Sequence, residues 1–293
     1  MPDTLPAVDI AMIGHIAKDR IVYQGHAETA TGGAVYYGGM ALRQLGLRVA
    51  VITRLHRNDW HLLDEMIAAG ISVYATPAPE TSGIENTYYT PDMDRRGCRP
   101  LGFAGPFRAE DIPPLDTRLW LIGPIIAGEV ELPLLAALHG RGVPLAMDIQ
   151  GFIRVRMGDE LLFRDWPEKE TGLRYITYLK VDSAEAEALT GLSDMRAAAA
   201  QLANWGPREI VLTHRDGLIV YAEGEYHEAP FRPRVIRGRT GRGDTTFATY
   251  LGKRLSAAPA EACRYAAAVV SLKLEEPGPF RRPLAEVEAL LRR

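Results

Sequence analysis

One short segment carries the residue types that phosphate chemistry needs. GRTGRGDT, residues 238–245, has the spacing of a phosphate-binding P-loop, G-x-x-x-x-G-K-S/T, but Asp244 stands where that loop has its lysine. Glycines let the backbone approach a phosphoryl group, and the free N–H groups of a first helical turn would point at it. A carboxylate at the edge of such an anion hole can accept the proton of an attacking hydroxyl. A glycine-rich helix start capped by Asp244 and Thr245 fits the same letters, so the spacing alone leaves both interpretations open.

Further signatures run along most of the chain. TGRGDTTFATYLGKRL (240–255) resembles the C-terminal signature D-T-x-G-A-G-D of the ribokinase/phosphofructokinase B family of small-molecule kinases. TGGAVYYGGMALRQLGLRVAVITRLHRND (31–59) is similar to the family's N-terminal Gly-Gly signature, and YLKVDSAEAEALTG (178–191) to its N-x-x-E segment. LTHRDGLIVY (212–221) resembles its T-x-G strand-turn, and EPGPF (276–280) its closing loop. Gly238 and Arg242 depart from the signature, which has Asp and Ala there, and Asp182 replaces the Asn of N-x-x-E.

The resemblance implies a role for each residue that matches a family motif. Asp244 would be the catalytic base, and Asp19 would bind acceptor hydroxyls. Asp182 and Glu185 would organise Mg²⁺, mostly through water, although a helix cap with its capping-box acid fits the same pair. A surface carboxylate likewise fits Asp19. The remaining matches are Gly241, Arg242 and Gly243 as the anion hole, Thr213 and Gly217 as nucleotide contacts, and Gly32 and Gly33 as backbone next to the substrate.

The family motifs say least about which molecule accepts the phosphoryl group. GHIAKD, the Tyr36-Tyr37 pair and DIQGFIRVR (148–156) look most like the branch that contains myo-inositol kinases, so Tyr37, Gln150 and Arg154 become substrate-binding candidates. The resemblance therefore implies an ATP- and Mg²⁺-dependent kinase acting on a hydroxyl of a sugar or cyclitol. A nucleoside kinase of the same fold is one alternative, for which Tyr36, Tyr37, Tyr88 and Tyr89 could supply a base stack. A non-catalytic sugar- or nucleotide-binding regulator is the other, although a sensor has no use for a base at 244.

These residues need a scaffold, and the hydrophobic pattern predicts one. Apolar runs such as VDIAMIG (8–14) and LRVAVITR alternate with helical stretches that end at glycines, such as Gly46 and Gly70. This β-α-β rhythm predicts a three-layer α/β/α domain over residues 1–293 with a mostly parallel sheet. The rhythm breaks around 20–31 and 76–110, where we expect the pieces of a β lid that closes over the polyol and forms a homodimer contact.

Composition narrows the classes of partner. The chain has 293 residues, 47% of them hydrophobic and 24% charged, and a net charge of −3, which points to no nucleic-acid or membrane-surface partner. Two distant cysteines, Cys98 and Cys263, favour neither a disulfide framework nor a zinc site. The first residues lack the pattern of a signal peptide, so a cytoplasmic setting is expected.

Overall fold

The computed structural model describes residues 5–89 and 96–292, and a nine-stranded sheet crosses them. From one edge to the other its strands are Glu225–Pro230, Gly217–Ala222, Glu209–Thr213, Tyr178–Asp182, Leu145–Asp148, Trp120–Ile122, Ile10–Ile13, Val49–Leu55 and Ser72–Pro77. Neighbours pair in parallel, except that Gly217–Ala222 runs antiparallel to both of its neighbours. The carboxyl ends of the parallel strands therefore meet at one edge, where open α/β sheets place their ligand sites.

Helices cover both faces of this sheet. Ile10 and Met12 belong to a core shared with the helices around Val35 and Phe247, whereas Ala11 and Ile13 face the opposite core. This alternation along one strand produces the three layers, and it confirms the predicted fold class. The helices are Ala34–Gln44, Asp64–Ala68, Leu132–His139, Gln150–Ile153, Lys169–Leu173, Ser183–Thr190, Met195–Asn204, Arg242–Arg254, Pro259–Leu274 and Leu284–Leu291, with 3₁₀ turns at Arg57–Leu63 and Ala109–Asp111. Within the described ranges, none of them has the length and apolar run needed to cross a membrane.

A separate four-stranded sheet lies beside the first. In spatial order its strands are His26–Gly32, Ala17–Tyr23, Gly83–Tyr88 and Arg96–Gly102. The segments expected to form a lid, around 20–31 and 76–110, fall largely in this sheet. Thr76 and Pro77 instead end an edge strand of the main sheet, and 90–95 lie outside the described residues. Two smaller pairings complete the strands, Ala7–Val8 with Asp116–Thr117 and Arg154–Met157 with Glu160–Phe163.

The helical stretch that ends at Gly70 begins with the 3₁₀ turn Arg57–Leu63. His56 caps a 3₁₀ turn by accepting the N–H of Asn58 on Nδ1, at 3.2 Å. The carboxylate of Asp59 is engaged elsewhere, because it accepts bonds from Lys18 Nζ at 2.7 Å and Thr81 Oγ1 at 2.6 Å. Asp59 thus joins the first helical turn to the small sheet, a contact between distant segments that no capping pattern predicts.

Candidate active site

The segment 238–245 opens the helix Arg242–Arg254. Gly241 precedes the helix with φ +77°, a conformation that favours glycine, and a Cβ built there would lie 2.2 Å from the Tyr37 ring. The N–H of Arg242 donates to Arg239 O at 3.1 Å. Among the described residues, no carbonyl accepts from the N–H of Gly243 or Asp244. The open donors of this first turn are therefore those of Gly243 and Asp244, together with Gly241, while Arg242 uses its own N–H within the turn.

Gly238 has a packing reason to differ from the family signature. A Cβ built there would lie 2.1 Å from Glu276 O, so the aspartate of the signature has no room in this chain. Arg239, which follows it, stands where the signature has threonine and is a further departure from the family pattern. The guanidinium of Arg242 donates to Arg215 O at 3.4 Å, at the exposed surface of the loop. The segment 238–245 of this chain therefore carries two arginines, Arg239 and Arg242, that the family pattern lacks.

Asp244 itself is only partly exposed at the carboxyl edge of the sheet. Burial raises the pKa of its carboxyl to about 6, and the negative charge of Asp148 acts in the same direction. The cations Lys180 and Arg154 oppose that shift. A carboxylate with a pKa near 6 is ionised at neutral pH and is a stronger proton acceptor than an ordinary aspartate, as a general base requires.

Lys180 lies at the centre of this group of carboxylates. Its buried Nζ is 3.1 Å from Asp148 Oδ2 and 3.3 Å from Glu185 Oε2. Burial acts to lower the pKa of Lys180, but these two carboxylates, together with Asp182 and Asp244, outweigh it and raise the pKa. A Cβ added to Gly243 would stand 3.4 Å from the same Nζ, so the ammonium lies directly beside the anion-hole loop.

Asp148 and Lys180 were not among the predicted site residues, although each had a signal. Asp148 is the last residue of a buried strand, and Lys180 is a charge inside the apolar strand Tyr178–Asp182. Both signals depend on knowing that the strand ends meet at one edge of the sheet.

Asp182 and Glu185 form the helix cap that their spacing permits. Asp182 Oδ1 accepts the N–H of Glu185 at 2.8 Å, and Glu185 Oε2 accepts the N–H of Asp182 at 2.7 Å. Glu185 is also buried against Lys180, and burial raises its pKa against the opposing charge of that lysine. The pair therefore has a structural task whether or not it also serves a metal.

The charge of the site suits a divalent cation. Four carboxylates, those of Asp148, Asp182, Glu185 and Asp244, lie within electrostatic reach of Lys180, and Arg154 is the second cation. Among the described residues no three His, Cys, Asp or Glu side chains are arranged to ligate a metal directly. These residues therefore fit a Mg²⁺ ion held mostly through water and phosphate oxygens, as that ion usually is.

The predicted acceptor residues lie where the two sheets meet. Asp19 is buried, and its Oδ1 accepts the N–H of Ile84 at 2.8 Å. A Cβ on Gly33 (φ +96°) would be 2.4 Å from a backbone oxygen, so this position requires glycine, and a Cβ on Gly32 would be 2.0 Å from Asp19 Oδ2 and would displace that carboxylate. Burial raises the pKa of Tyr37, and the charges of Asp19 and Asp244 raise it further. Tyr37 thus lies within reach of both carboxylates and connects the acceptor residues to the base.

Gln150 and Arg154 belong to the same edge. Arg154 is buried, donates to Gln150 Oε1 at 3.1 Å, and opposes the pKa shift of Asp244. The N–H of Gln150 donates to Asp148 Oδ1 at 3.0 Å, which fixes the turn after that strand. Both residues therefore border the carboxylate group through Asp148 and Asp244.

Thr213 and Gly217 flank the turn between two antiparallel strands. Thr213 is buried with Oγ1 3.5 Å from Val181 O. A Cβ on Gly217 would be 2.5 Å from Ala229 O, so strand pairing alone accounts for this glycine. Their place at the end of the sheet agrees with a donor-side position, and their contact with a nucleotide stays a prediction.

A cavity of about 370 Å³ opens beside the strand that carries Asp19, and Asp19 is itself one of the residues that line it. Lys18, Arg20, Asp59 and Thr81 are among its lining residues, and Asp244 is not. Lys18 and Arg20 alternate with Asp19 along the strand and are exposed where Asp19 is buried. The cavity therefore reaches the predicted acceptor residue Asp19 but not the predicted base Asp244.

The chain is similar to known small-molecule kinases. The pfkB family carbohydrate kinase model matches residues 161–283, a range that contains Lys180, Asp182, Glu185 and Asp244. The cytidine kinase of Thermococcus kodakarensis is 26% identical over 266 residues, which are 87% of this chain and 92% of that protein.

Two solved structures resemble the chain more closely. One is the sulfate complex of a pyrophosphate-dependent kinase in the ribokinase family, and the other is such a kinase complexed with a pyrophosphate analog and myo-inositol. Each is 37% identical, has a TM-score of 0.89, and matches 96% of this chain and 99% of its own.

Proposed function

The chain belongs to the ribokinase family, whose kinases are phosphotransferases with hydroxyl acceptors, and on that premise we propose that it phosphorylates a hydroxyl of a cyclitol or sugar with Asp244 as general base. The observation that carries the proposal is the Asp244 carboxyl, whose pKa is raised to about 6, next to the open N–H groups of the same helical turn. A base and an anion hole within one turn are what transfer to a hydroxyl requires.

The reaction follows from that arrangement. The acceptor hydroxyl gives its proton to the Asp244 carboxylate as its oxygen bonds to phosphorus, and the bond from phosphorus to the leaving phosphate oxygen breaks. The N–H groups of Gly241 and Gly243 stabilise charge on the transferring group, and Lys180 adds a cation beside Gly243. Asp182 and Glu185 would hold a Mg²⁺ ion by way of water, and the ion would supply positive charge that offsets the donor phosphates.

For the donor we propose inorganic pyrophosphate, where the sequence pattern implied ATP. A donor without adenosine must be held through the charge of its second phosphate. Arg239 and Arg242 belong to the segment that forms the anion hole and bring two positive charges to it, and the Arg242 guanidinium bonds to the backbone of Arg215. The 37% identical kinases described as pyrophosphate-dependent support the same choice. ATP is the second candidate, as the family resemblance implies.

For the acceptor, a ring polyol fits better than a nucleoside. The buried Asp19 carboxylate suits neighbouring hydroxyls, and the myo-inositol complex of a 37% identical kinase supports that class. Three of the four tyrosines that could stack a base are engaged or buried: the Tyr36 hydroxyl donates to Glu65 Oε2 at 2.6 Å, and Tyr37 and Tyr88 are buried, whereas Tyr89 is exposed. The 26% identity with a cytidine kinase keeps a nucleoside as the second candidate.

The small sheet would act as the lid of this site. Its strands carry Asp19 and Ile84, which bond to each other beside Gly32. Closure over the polyol would exclude water, which would otherwise accept the phosphoryl group. We further propose that residues 1–293 form a single domain and that two copies of the chain associate through this lid. We also propose a cytoplasmic location.

The test is a matrix of donors and acceptors. Pyrophosphate and ATP are each combined with inositols, hexoses, pentoses and nucleosides in the presence of Mg²⁺, and phosphate or ADP release and the phosphorylated product are measured. We expect turnover of a cyclitol or sugar with pyrophosphate. Turnover of nucleosides alone would contradict the acceptor assignment, and turnover with ATP alone would contradict the donor. Binding of a polyol with no product from either donor would favour a non-catalytic regulator.

A further inference from the structure

Lys273 is a buried lysine that lies outside the family motifs and takes no part in the proposed reaction. It lies near the end of the helix Pro259–Leu274 and is 2% exposed. Its Nζ donates to Gly238 O at 2.7 Å and to Thr240 O at 2.6 Å. The same Nζ is 5.5 Å from the centre of the Tyr37 ring. An ammonium is costly to bury unless its protons are bonded, and here two carbonyls and an aromatic face receive it.

The two carbonyls belong to the loop that forms the anion hole. In a trans peptide unit the C=O and the following N–H point in opposite directions. Lys273 bonds to Thr240 O from the side of the loop that packs on the helix Pro259–Leu274. The N–H of Gly241 therefore points to the opposite side of the loop, where the donor phosphate would bind. The same geometry holds for Gly238 O and the N–H of Arg239. Lys273 therefore orients the loop from the side opposite to the phosphate.

Its charge acts in the same place. In a P-loop the lysine reaches the phosphates from the front, and here that position holds Asp244. Lys273 places its positive charge on the helix side of the loop, so it does not occupy the phosphate side, where Asp244 lies.

We propose that Lys273 is the positioning residue of the anion hole, which turns the loop's N–H groups toward the phosphoryl donor and supplies the cation that the loop lacks at position 244. This inference rests on the proposed function, since it assumes that a donor phosphate binds at Gly241–Gly243.

Three groups face Lys273 and determine its titration. Burial lowers its pKa to about 8, Arg242 acts in the same direction, and Asp244 opposes them. Tyr37 faces it with its ring, and burial raises the pKa of that phenol. A bound anion favours the charged ammonium, so anion binding must weaken as pH rises through about 8.

The first experiment needs no variant. Sulfate, which does not titrate in this range, is bound to the whole protein, and its affinity is measured by calorimetry between pH 7 and pH 10. We expect affinity to fall by about tenfold for each unit by which bound sulfate raises the pKa of Lys273. An affinity that is constant over this range would overturn the inference.

Lys273→Met and Lys253→Met then form a matched pair. Lys253 also stands over a tyrosine ring, 5.0 Å from that of Tyr265, but it lies on the surface and pairs with Glu261. We expect Lys273→Met to bind sulfate at least about tenfold more weakly than the wild type at pH 7, with an affinity that stays constant from pH 7 to pH 10. Lys253→Met should bind sulfate as the wild type does. If Lys273→Met does not fold, the wild-type profile decides.

Kinetics separates this inference from the proposed function. Lys273→Met is expected to raise the donor KM or lower kcat by about tenfold or more while the acceptor KM stays unchanged. An active kinase in which Lys273→Met matches the wild type would overturn the role of Lys273. A wild-type protein that binds sulfate with the expected pH profile but phosphorylates nothing would overturn the proposed function and leave the anion site standing.

Discussion

The general base can be tested through the pH dependence of the rate. Only ionised Asp244 can accept a proton, and its pKa is raised to about 6, so the active fraction rises with pH. About one tenth of the carboxyl is ionised at pH 5 and about nine tenths at pH 7, so kcat/KM for the acceptor should be about tenfold lower at pH 5. Asp244→Asn should lower kcat by roughly 10²–10⁴ and abolish this acid limb.

Asp148 offers a second perturbation that leaves the base in place. After burial, the negative charge of Asp148 is the largest cause of the raised pKa of Asp244. Asp148→Asn removes that charge and should therefore move the acid limb of the rate profile to lower pH. The two enzymes use the same donor, so titration of the donor itself cancels in the comparison. Asp165→Asn, which removes an exposed carboxylate paired with Lys169, is the control and should leave the limb unchanged.

Initial rates over pH 4.5–8 with saturating donor provide the assay. An acid limb that persists in the residual activity of Asp244→Asn would refute the assignment of the base. A limb that does not move in Asp148→Asn would refute the electrostatic coupling between the two carboxyls.

Three further predictions concern the metal, the acceptor and the donor. Glu185→Gln should raise the Mg²⁺ concentration for half-maximal rate more than the acceptor KM, and a change confined to the acceptor would place this residue in the wrong pocket. Gly32→Ala should raise the acceptor KM by about tenfold or more, since its Cβ would meet Asp19 Oδ2 at 2.0 Å; an unchanged KM with intact folding would remove Asp19 from the acceptor site. Arg242→Ala should raise the KM for pyrophosphate by about tenfold with little effect on any ATP reaction, and equal loss with both donors would argue against a contact to the second phosphate.

Part of this site could be predicted because it is local in the sequence. The glycines of 238–245 and the acid at 244 define a helix start that can meet an anion, whatever surrounds it. The three-residue spacing of Asp182 and Glu185 places both at one helix end, and the structure shows the cap that this spacing allows. The alternation of apolar runs and helical stretches likewise predicted the layers, since strand and helix periodicities involve only near neighbours.

The tertiary structure decided what depends on residues far apart in the chain. Asp148 and Lys180 come from neighbouring strands, and Lys180 Nζ lies 3.1 Å from Asp148 Oδ2. The sequence of either strand by itself does not predict this contact. Lys273 reaches Thr240 from a helix that begins after the loop has ended, and burial sets its pKa. Burial and charge coupling act through space and fall off with distance between atoms, so spacing along the sequence carries little information about them. The chain thus specifies locally where a phosphate can bind, and the packing of its strands and helices decides which charges surround it.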